Sequence, residues 1–592
     1  MLQYTAPLRD IRFSLDLVGA NELAALPAFE HADIDTVAGL LDEFARLISD
    51  TWSPTNEVGD REGLRVDTAN STIATPSGFR AAYQAFTQGG WAGVALDPEY
   101  GGGGFPHLTG TAMGELLQSA NMALALCPML TQGAIDALHA YGSESQKETY
   151  LRKLISGEWT GTMNLTEPDA GSDVGALRTR AVQAPDGTWR ITGQKIYITW
   201  GEHDMADNIV HLVLARVDGA PAGTKGISCF IVPKFVPTAD GTPGERNDVR
   251  VVSTEHKMGI HASPTCVLAF GDDGQGALGE LVGELNAGMR TMFVMMNNAR
   301  LAVGQQGLAL AERAYQHCVV HATTRVQGRP INGASDDPIV GHPDVRRMLL
   351  TMRSQIEAMR HLIFLNAKAI DEARHGSTEQ QRVAGQELAD LLTPLSKAWC
   401  TDLGNELCSI AVQLHGGMGF CEDTGVAQLF RDVRIAAIYE GTNGIQALDL
   451  YGRKLGLRGG AVIGDLIDRM RADLDALSLV SPELAEQLSS AIATTESLTK
   501  WMLGPGREAA VDGMAGASPY LRVVATVVGG WLMGRQAVVA AASITDPYNA
   551  AKLATSGFYI HQVLSTIDGL TQQITAGASQ LYAIPVEQLA SR

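Results

Sequence analysis

Residues 188–199 read TWRITGQKIYIT and residues 208–217 read NIVHLVLARV. Both are rich in β-branched and aromatic residues, and Asp-Gly and Pro-Ala-Gly turn signals bound them. Three further runs follow: GISCFIVPKF (226–235), DVRVVSTEHKMG (248–259) and TCVLAFGD (265–272). Together they predict a compact antiparallel, barrel-like β domain over residues 161–282.

On either side the period changes from two to 3.6. Upstream, Val37, Leu40, Leu41, Phe44, Leu47 and Ile48 form one helical stripe, so 40–160 reads as an α-helical domain behind an N-terminal extension, 1–39. The cluster Gly101–Gly104 lacks a Gly-Lys-Ser/Thr ending and reads as a tight connection. Downstream, 283–455 reads as a helical bundle. Its methionine stripe, Met289, Met292, Met295 and Met296, reads as packing core. After the Gly-rich joint LGLRGGAVIGD (455–465), Ser481-Pro482-Glu483 supplies an N-cap, a Pro at N1 and an acidic first turn. Residues 466–592 therefore read as an additional α-helical domain. The fold class is α+β, mainly α: helices, a central β domain, a four-helix bundle and appended helices.

Composition bounds the function. The chain has 592 residues, 45 Lys+Arg and 65 Asp+Glu, for a formal charge of -20. That acidic excess argues against a nucleic-acid partner. No run of about 18 uninterrupted apolar residues marks a membrane span, and the N-terminus lacks a secretory signal pattern. The seven cysteines contain no C-x-x-C pair and read as buried reduced thiols, which places the chain in the cytoplasm. His256 and His261 flank KMGI without a third ligand, so no metal is expected.

Two segments carry candidate chemistry. MNLTEPDAGSDVGALRTRA (163–181) offers the hydroxyls of Thr166 and Ser172 and the unhindered backbone of Gly171. Such a loop can hold polar ring edges and phosphates, although on local pattern alone it is an ordinary turn. In QLHGGMGFCEDTGVAQLFRDVRIAAIYEGTNGIQALDL (413–450), one acid, Glu440, follows the apolar run Ile435–Tyr439 and precedes Gly441. Poor solvation after an apolar segment strengthens a carboxylate as a base, while a helix-terminal Glu before Gly is the plain alternative.

In this order and spacing, TEPDAGSD, ITGQKIYIT, HKMGI, QLHGGMGF and RDVRIAAIYEGTNGIQ resemble the acyl-CoA dehydrogenase family of flavoenzymes. The likeness covers about residues 40–455. YEGTNGIQALDL and the extra C-terminal helices are similar to the large branch that includes the 3-methylmercaptopropionyl-CoA dehydrogenases and large mycobacterial-type fatty acyl-CoA dehydrogenases. The resemblance implies FAD as cofactor, an acyl-CoA substrate, an electron-transfer flavoprotein as electron acceptor and a homodimer.

It also implies roles residue by residue. Glu440 matches the base that removes the α-proton, and its backbone N–H the donor that polarises the thioester carbonyl with help from a flavin hydroxyl. Met163, Leu165, Thr166 and Ser172 match the loop over the flavin ring and pyrophosphate, with Ser172 near the CoA arm as well. Tyr197 and Thr199 match the aromatic cover and the hydroxyl at flavin N5; the family more often has Trp at Tyr197. Thr442 and Asn443 match nucleotide contacts. Arg325, in a loop one residue shorter than usual, matches an arginine reaching a neighbouring subunit's FAD, as do Gln413, Gly416 and Gly417. Asn297, Arg300, Tyr439 and Gly441 match the substrate side. Some branches carry their base one position before the Arg300 equivalent; here that position is Ala299, which leaves Glu440. An acyl-CoA oxidase shares this fold and base, and the DNA-associated flavoprotein of the alkylation-response branch is the non-catalytic alternative.

Overall fold

The computed structural model describes residues 4–590, so Met1–Gln3 and Ser591–Arg592 lie outside the described residues. The chain divides into two compact units. One comprises Met1–Ala6 and Thr36–Ala302, the other Pro7–Asp35 and Val303–Arg592.

The first unit holds helices and the central sheet. Its strands are β1 (Trp159–Asn164), β2 (Arg180–Gln183), β3 (Trp189–Thr199), β4 (Asn208–Val217), β5 (Ile227–Pro233), β6 (Val249–Thr254), β7 (Thr265–Phe270) and β8 (Ala277–Val282). They lie in the order β6-β7-β3-β8-β5-β4-β1, with β2 against β3 and β4. The pairing is antiparallel except at β1/β4 and β2/β4, which run parallel. The chain reaches β1 from the helix Glu144–Ser156 and β2 from the loop after β1, so neither is joined to β4 by a hairpin. The first eight residues of β4 are all buried, as its unbroken apolar run requires.

One irregularity decides what this sheet can present. Cys266 of β7 pairs with Ile198 of β3, but Leu268 pairs with Lys195, so Ile196 and Tyr197 face a single partner position. This is a β-bulge, and such bulges re-aim side chains. Tyr197 adopts φ +59° and is 59% exposed. Elsewhere in the unit, Gly101–Gly104 packs as a connection: Gly103 N–H donates to the Gly93 carbonyl and Gly104 N–H to that of Leu96, both 2.9 Å. Met292 and Met295 are fully buried in the core between helices and sheet.

The second unit is helical. Pro343–His375 and Glu379–Leu414 are its longest helices after Gly288–Thr324, inside which the unit boundary falls. Thr378 and Gln381 form a reciprocal capping box at the start of Glu379–Leu414. A Cβ on Gly404 would come 2.5 Å from Gly307 Cα, so glycine at both positions lets these helix backbones touch. Ala510–Ala541 is long and apolar enough to cross a membrane by length and composition, yet 83% of its most apolar window is buried inside the protein. It is a core helix interrupted by Gly and polar residues, which is why no uninterrupted apolar run marked it.

Of the N-terminal extension, Pro7–Asp35 belongs to this second unit. Asp10, on helix Leu8–Val18, lies 2.8 Å from the fully buried Lys552 ammonium, which also lies 3.1 Å from Glu357. Ends of the chain more than 500 residues apart thus share one buried charge cluster, a pairing that no local sequence pattern encodes. Six cysteines are buried; Cys421 is exposed, against the expectation that all seven lie inside. It sits on a short surface turn, where no apolar element covers it.

Candidate functional site

In the first unit, Met163 and Leu165 are half-buried at the end of β1 and Thr166 is half-buried beside them. Gly171 and Ser172 are exposed on the loop that follows. The loop is held by Glu167. Its carboxylate accepts from the backbone N–H of Arg178 (2.6 Å) and Thr179 (3.0 Å) and from Thr179 Oγ1 (2.6 Å). The Lys195 ammonium, fully buried, donates to Glu167 Oε1 at 2.8 Å and to the Leu165 carbonyl at 3.0 Å. Ile196 N–H donates to the Thr166 carbonyl at 2.9 Å. Burial opposes ionisation of Glu167, but Lys195 and these hydrogen bonds outweigh it and hold the carboxyl below its ordinary value. Burial also draws Lys195 down to about 8, against the pull of Glu167.

The loop carrying Thr166 and Ser172 is therefore tied to β3 at the bulge that turns Tyr197 outward. Thr199, half-buried, follows two residues on. Arg300 is 5% exposed and Asn297 is exposed, both on Gly288–Thr324. Asn298, next to Asn297, donates to Asp136.

In the second unit, Glu440 is half-buried and adopts φ +56°, followed by Gly441 at φ +83°. Two successive left-handed residues turn the chain sharply, and a non-glycine there is strained by about 1–3 kcal/mol unless its surroundings impose it. The surroundings do. Gln446, fully buried, donates its amide to the Glu440 carbonyl at 3.2 Å. Thr442 Oγ1 caps the next helix, Asn443–Asp449, by accepting from Ile445 N–H at 3.2 Å. The Asn443 amide donates to the Ala398 carbonyl (3.1 Å), Thr401 Oγ1 (2.9 Å) and Asp402 Oδ1 (2.6 Å), and accepts from Lys397 Nζ (2.9 Å). Lys397 is fully buried, and burial raises the Asp402 carboxyl.

Asn443, which the resemblance places against a nucleotide, thus commits its side chain to the Glu379–Leu414 helix. It still lines, with Asp402, Asn405, Thr442, Gly444 and Arg522, a cleft of about 890 Å³. Tyr439 donates its hydroxyl to Gln306, itself fully buried, and burial pushes the phenol above its ordinary value.

Gln413, Gly416 and Gly417 are exposed where Glu379–Leu414 ends, and Gly416 has φ +61° with open space around it. Beneath them the His415 and His321 rings stack at 4.3 Å, and His415 Nδ1–H donates to the Ala411 carbonyl at 2.8 Å. Arg325 is exposed one helical turn beyond His321. Phe420 is 88% exposed next to this loop. His261 lies 2.8 Å from Asp60, and no group of three potential metal ligands occurs among the described residues.

Sequence reasoning missed Glu167, Lys195, Lys397 and Gln446. Lys195 left a signal: it shares the parity of Trp189, Ile191 and Gly193, a charge on the buried face of a strand. The others sit in runs whose burial only the fold reveals.

Four family models match in chain order. They are the acyl-CoA dehydrogenase N-terminal domain (residues 65–158), middle domain (162–272) and C-terminal domain (286–455), then the acetyl-CoA dehydrogenase C-terminal like domain (466–585). The chain is similar to 3-methylmercaptopropionyl-CoA dehydrogenase of Ruegeria pomeroyi, 42% identical over 584 residues, covering 97% of this chain and 98% of that protein. It resembles the structure of Caenorhabditis elegans ACDH-11 in complex with C11-CoA, with TM-score 0.80 and 19% identity over 100% of this chain and 96% of the other. It also resembles acyl-CoA dehydrogenase complexed with FAD from Bacillus anthracis, with TM-score 0.70 and 20% identity over 96% and 88%. At those identities the two structures attest the fold. Together with the four domains in order, the full-length relative establishes that the chain belongs to the acyl-CoA dehydrogenase family, with the added C-terminal helical domain.

Proposed function

We propose that this oxidoreductase is an FAD-dependent dehydrogenase that converts 3-methylmercaptopropionyl-CoA, or a short fatty acyl-CoA of similar size, to the trans-2-enoyl thioester. The observation that carries the reading is Glu440: a carboxylate on a strained left-handed turn, held there by Gln446 and by the Asn443 network. Strain maintained by so many contacts marks a functional position. The thioether substrate is suggested by the 42% identical relative.

The residues present fit a flavin dinucleotide. Thr166, Ser172 and Thr199 supply hydroxyls for ring edges and phosphate, the bulge offers an aromatic face in Tyr197, and open space surrounds Gly171, Gly416 and Gly417. FAD, when bound, supplies the hydride acceptor that no side chain can. Glu440 removes the α-proton, and its backbone N–H steadies the charge that develops on the thioester oxygen. Gly441 leaves room for the substrate beside the base. Arg300 and Asn297 orient the thioester end. Gln413, Gly416, Gly417 and Arg325 reach the cofactor of a second copy, so the working form is a homodimer, with the apolar Phe420 beside that contact. Electrons leave to an electron-transfer flavoprotein.

The test is a panel of acyl-CoA thioesters, including 3-methylmercaptopropionyl-CoA, assayed with an artificial electron acceptor. The expected result is highest kcat/KM for the thioether or for butyryl-CoA. Preference for long chains would overturn the substrate assignment. Rapid reoxidation of the substrate-reduced protein by air, with peroxide release, would make it an oxidase.

A further inference from the structure

The Lys195–Glu167 pair is not among the residues assigned proton or hydride movement above, yet it organises the hydroxyl-bearing loop of the first unit. Glu167 accepts from Lys195 of β3, which also holds the Leu165 carbonyl at the start of the loop, and from the backbone of Arg178 and Thr179 at its end. Lys195 belongs to β3, two residues before the exposed Tyr197. Its neighbour Ile196, within the bulge, donates to the Thr166 carbonyl. One buried charge pair thereby sets the distance between the hydroxyl-bearing loop and the aromatic-bearing strand.

Stability alone explains it poorly. A fully buried ion pair contributes little net stability compared with a well-packed apolar pair of the same volume, because desolvation offsets the attraction. An apolar pair would close the core as well, but could not collect two backbone N–H groups, one hydroxyl and an ammonium on a single carboxylate.

We propose that Lys195 and Glu167 are positioning residues for the cofactor, fixing the Leu165–Ser172 loop against the β3 bulge so that Thr166, Ser172, Tyr197 and Thr199 meet one flavin. This rests on the FAD reading above. Preorganisation of this kind shows as affinity, since a loop that must be ordered on binding weakens it.

The experiment uses full-length wild-type protein, Lys195→Met, Glu167→Gln and the double variant, each stripped of FAD. Three quantities are measured: the melting temperature of the apoprotein, the dissociation constant for added FAD by flavin fluorescence, and the visible circular dichroism of the rebound flavin. In the double variant the buried charges vanish together. It is expected to melt close to the wild type while its FAD dissociation constant rises about tenfold or more and its flavin dichroism changes. Glu167→Gln keeps the shape but leaves the buried Lys195 ammonium without its anion, and is expected both to lower the apoprotein melting temperature and to weaken FAD about three- to tenfold. Wild-type affinity and dichroism in Glu167→Gln and in whichever lysine variant folds would overturn the proposal. Wild-type protein that takes up no FAD would instead overturn the functional reading, and this inference with it.

Discussion

Tyr197 and Glu440 solve the same problem in different ways. Each is a large side chain held at positive φ, +59° and +56°, where L-residues other than Asn and Asp rarely stay. Tyr197 is held by a sheet: the bulge shifts the β3/β7 register, and backbone hydrogen bonds on both sides keep the conformation. Glu440 is held by side chains, chiefly the Gln446 amide and the hydrogen bonds of Asn443 to the Glu379–Leu414 helix. A backbone ladder tolerates most single substitutions, because the peptide groups remain. A side-chain network fails when one amide is removed. The base is therefore the more fragile of the two placements.

The largest expected effect comes from the base itself. Glu440→Gln keeps the shape and removes the proton acceptor, so turnover should fall about a thousandfold or more with FAD content unchanged. Activity within tenfold of the wild type would move the base elsewhere and dissolve the comparison. Next is the network. Asn443→Ala removes the Lys397 contact and leaves a buried ammonium without that acceptor, at a cost of about 2–4 kcal/mol in denaturant unfolding. The turn should loosen as well, lowering kcat about tenfold or more. An Asn443→Ala protein of normal stability and turnover would show that the left-handed turn stands on its own.

The sheet side answers to pH. His211 Nδ1 lies 2.7 Å from Thr162 Oγ1, and His203 Nε2 lies 2.9 Å from Thr160 Oγ1, pinning β1. Burial, with Lys234 nearby, draws both imidazoles down to about 3. Between roughly pH 6.5 and pH 3 the unfolded chain takes up protons that the folded chain refuses. Stability from these groups is thus complete above about pH 6.5 and falls with acidification, by about 1.4 kcal/mol per pH unit for each histidine. A His203→Gln/His211→Gln variant should show a shallower acid limb in urea unfolding; an unchanged slope would refute this source.

The smallest effect is at the bulge. Tyr197→Gly relieves about 1 kcal/mol of backbone strain and exposes little core, so thermal stability should hold or rise slightly while FAD binds more weakly. A marked loss of stability would mean the ring, and not the register, holds the bulge.

Much of this molecule was legible before its structure. The switch from 3.6 to two and back to 3.6 is visible around TWRITGQKIYIT because buried faces must be apolar at the period of their backbone. Glu440 stood out as one acid after an apolar run, and the YEGT motif marked it as the candidate base. What lay hidden was what holds it. Asn443 reads as a nucleotide contact in sequence, but its partners Lys397, Thr401 and Asp402 lie more than 40 positions away on another helix. The sheet was expected to be antiparallel, and its parallel edge at β1/β4 depends on where a helix delivers the chain, which strand patterns do not record.

By itself the sequence determined the order of the domains, and it singled out Glu440 as the candidate base and Thr166–Ser172 as the candidate flavin loop, because these rest on local periodicity and on short motifs. Only the tertiary structure decided that Leu8–Val18 and Pro547–Phe558 share a buried charge cluster, that Lys195 ties the flavin loop to a bulge, and that Glu440 and Tyr197 are held in strained backbone. Each of those depends on burying a charge or a strained residue against partners distant in the chain. Burial is a property of the packed fold, and no window of sequence contains it.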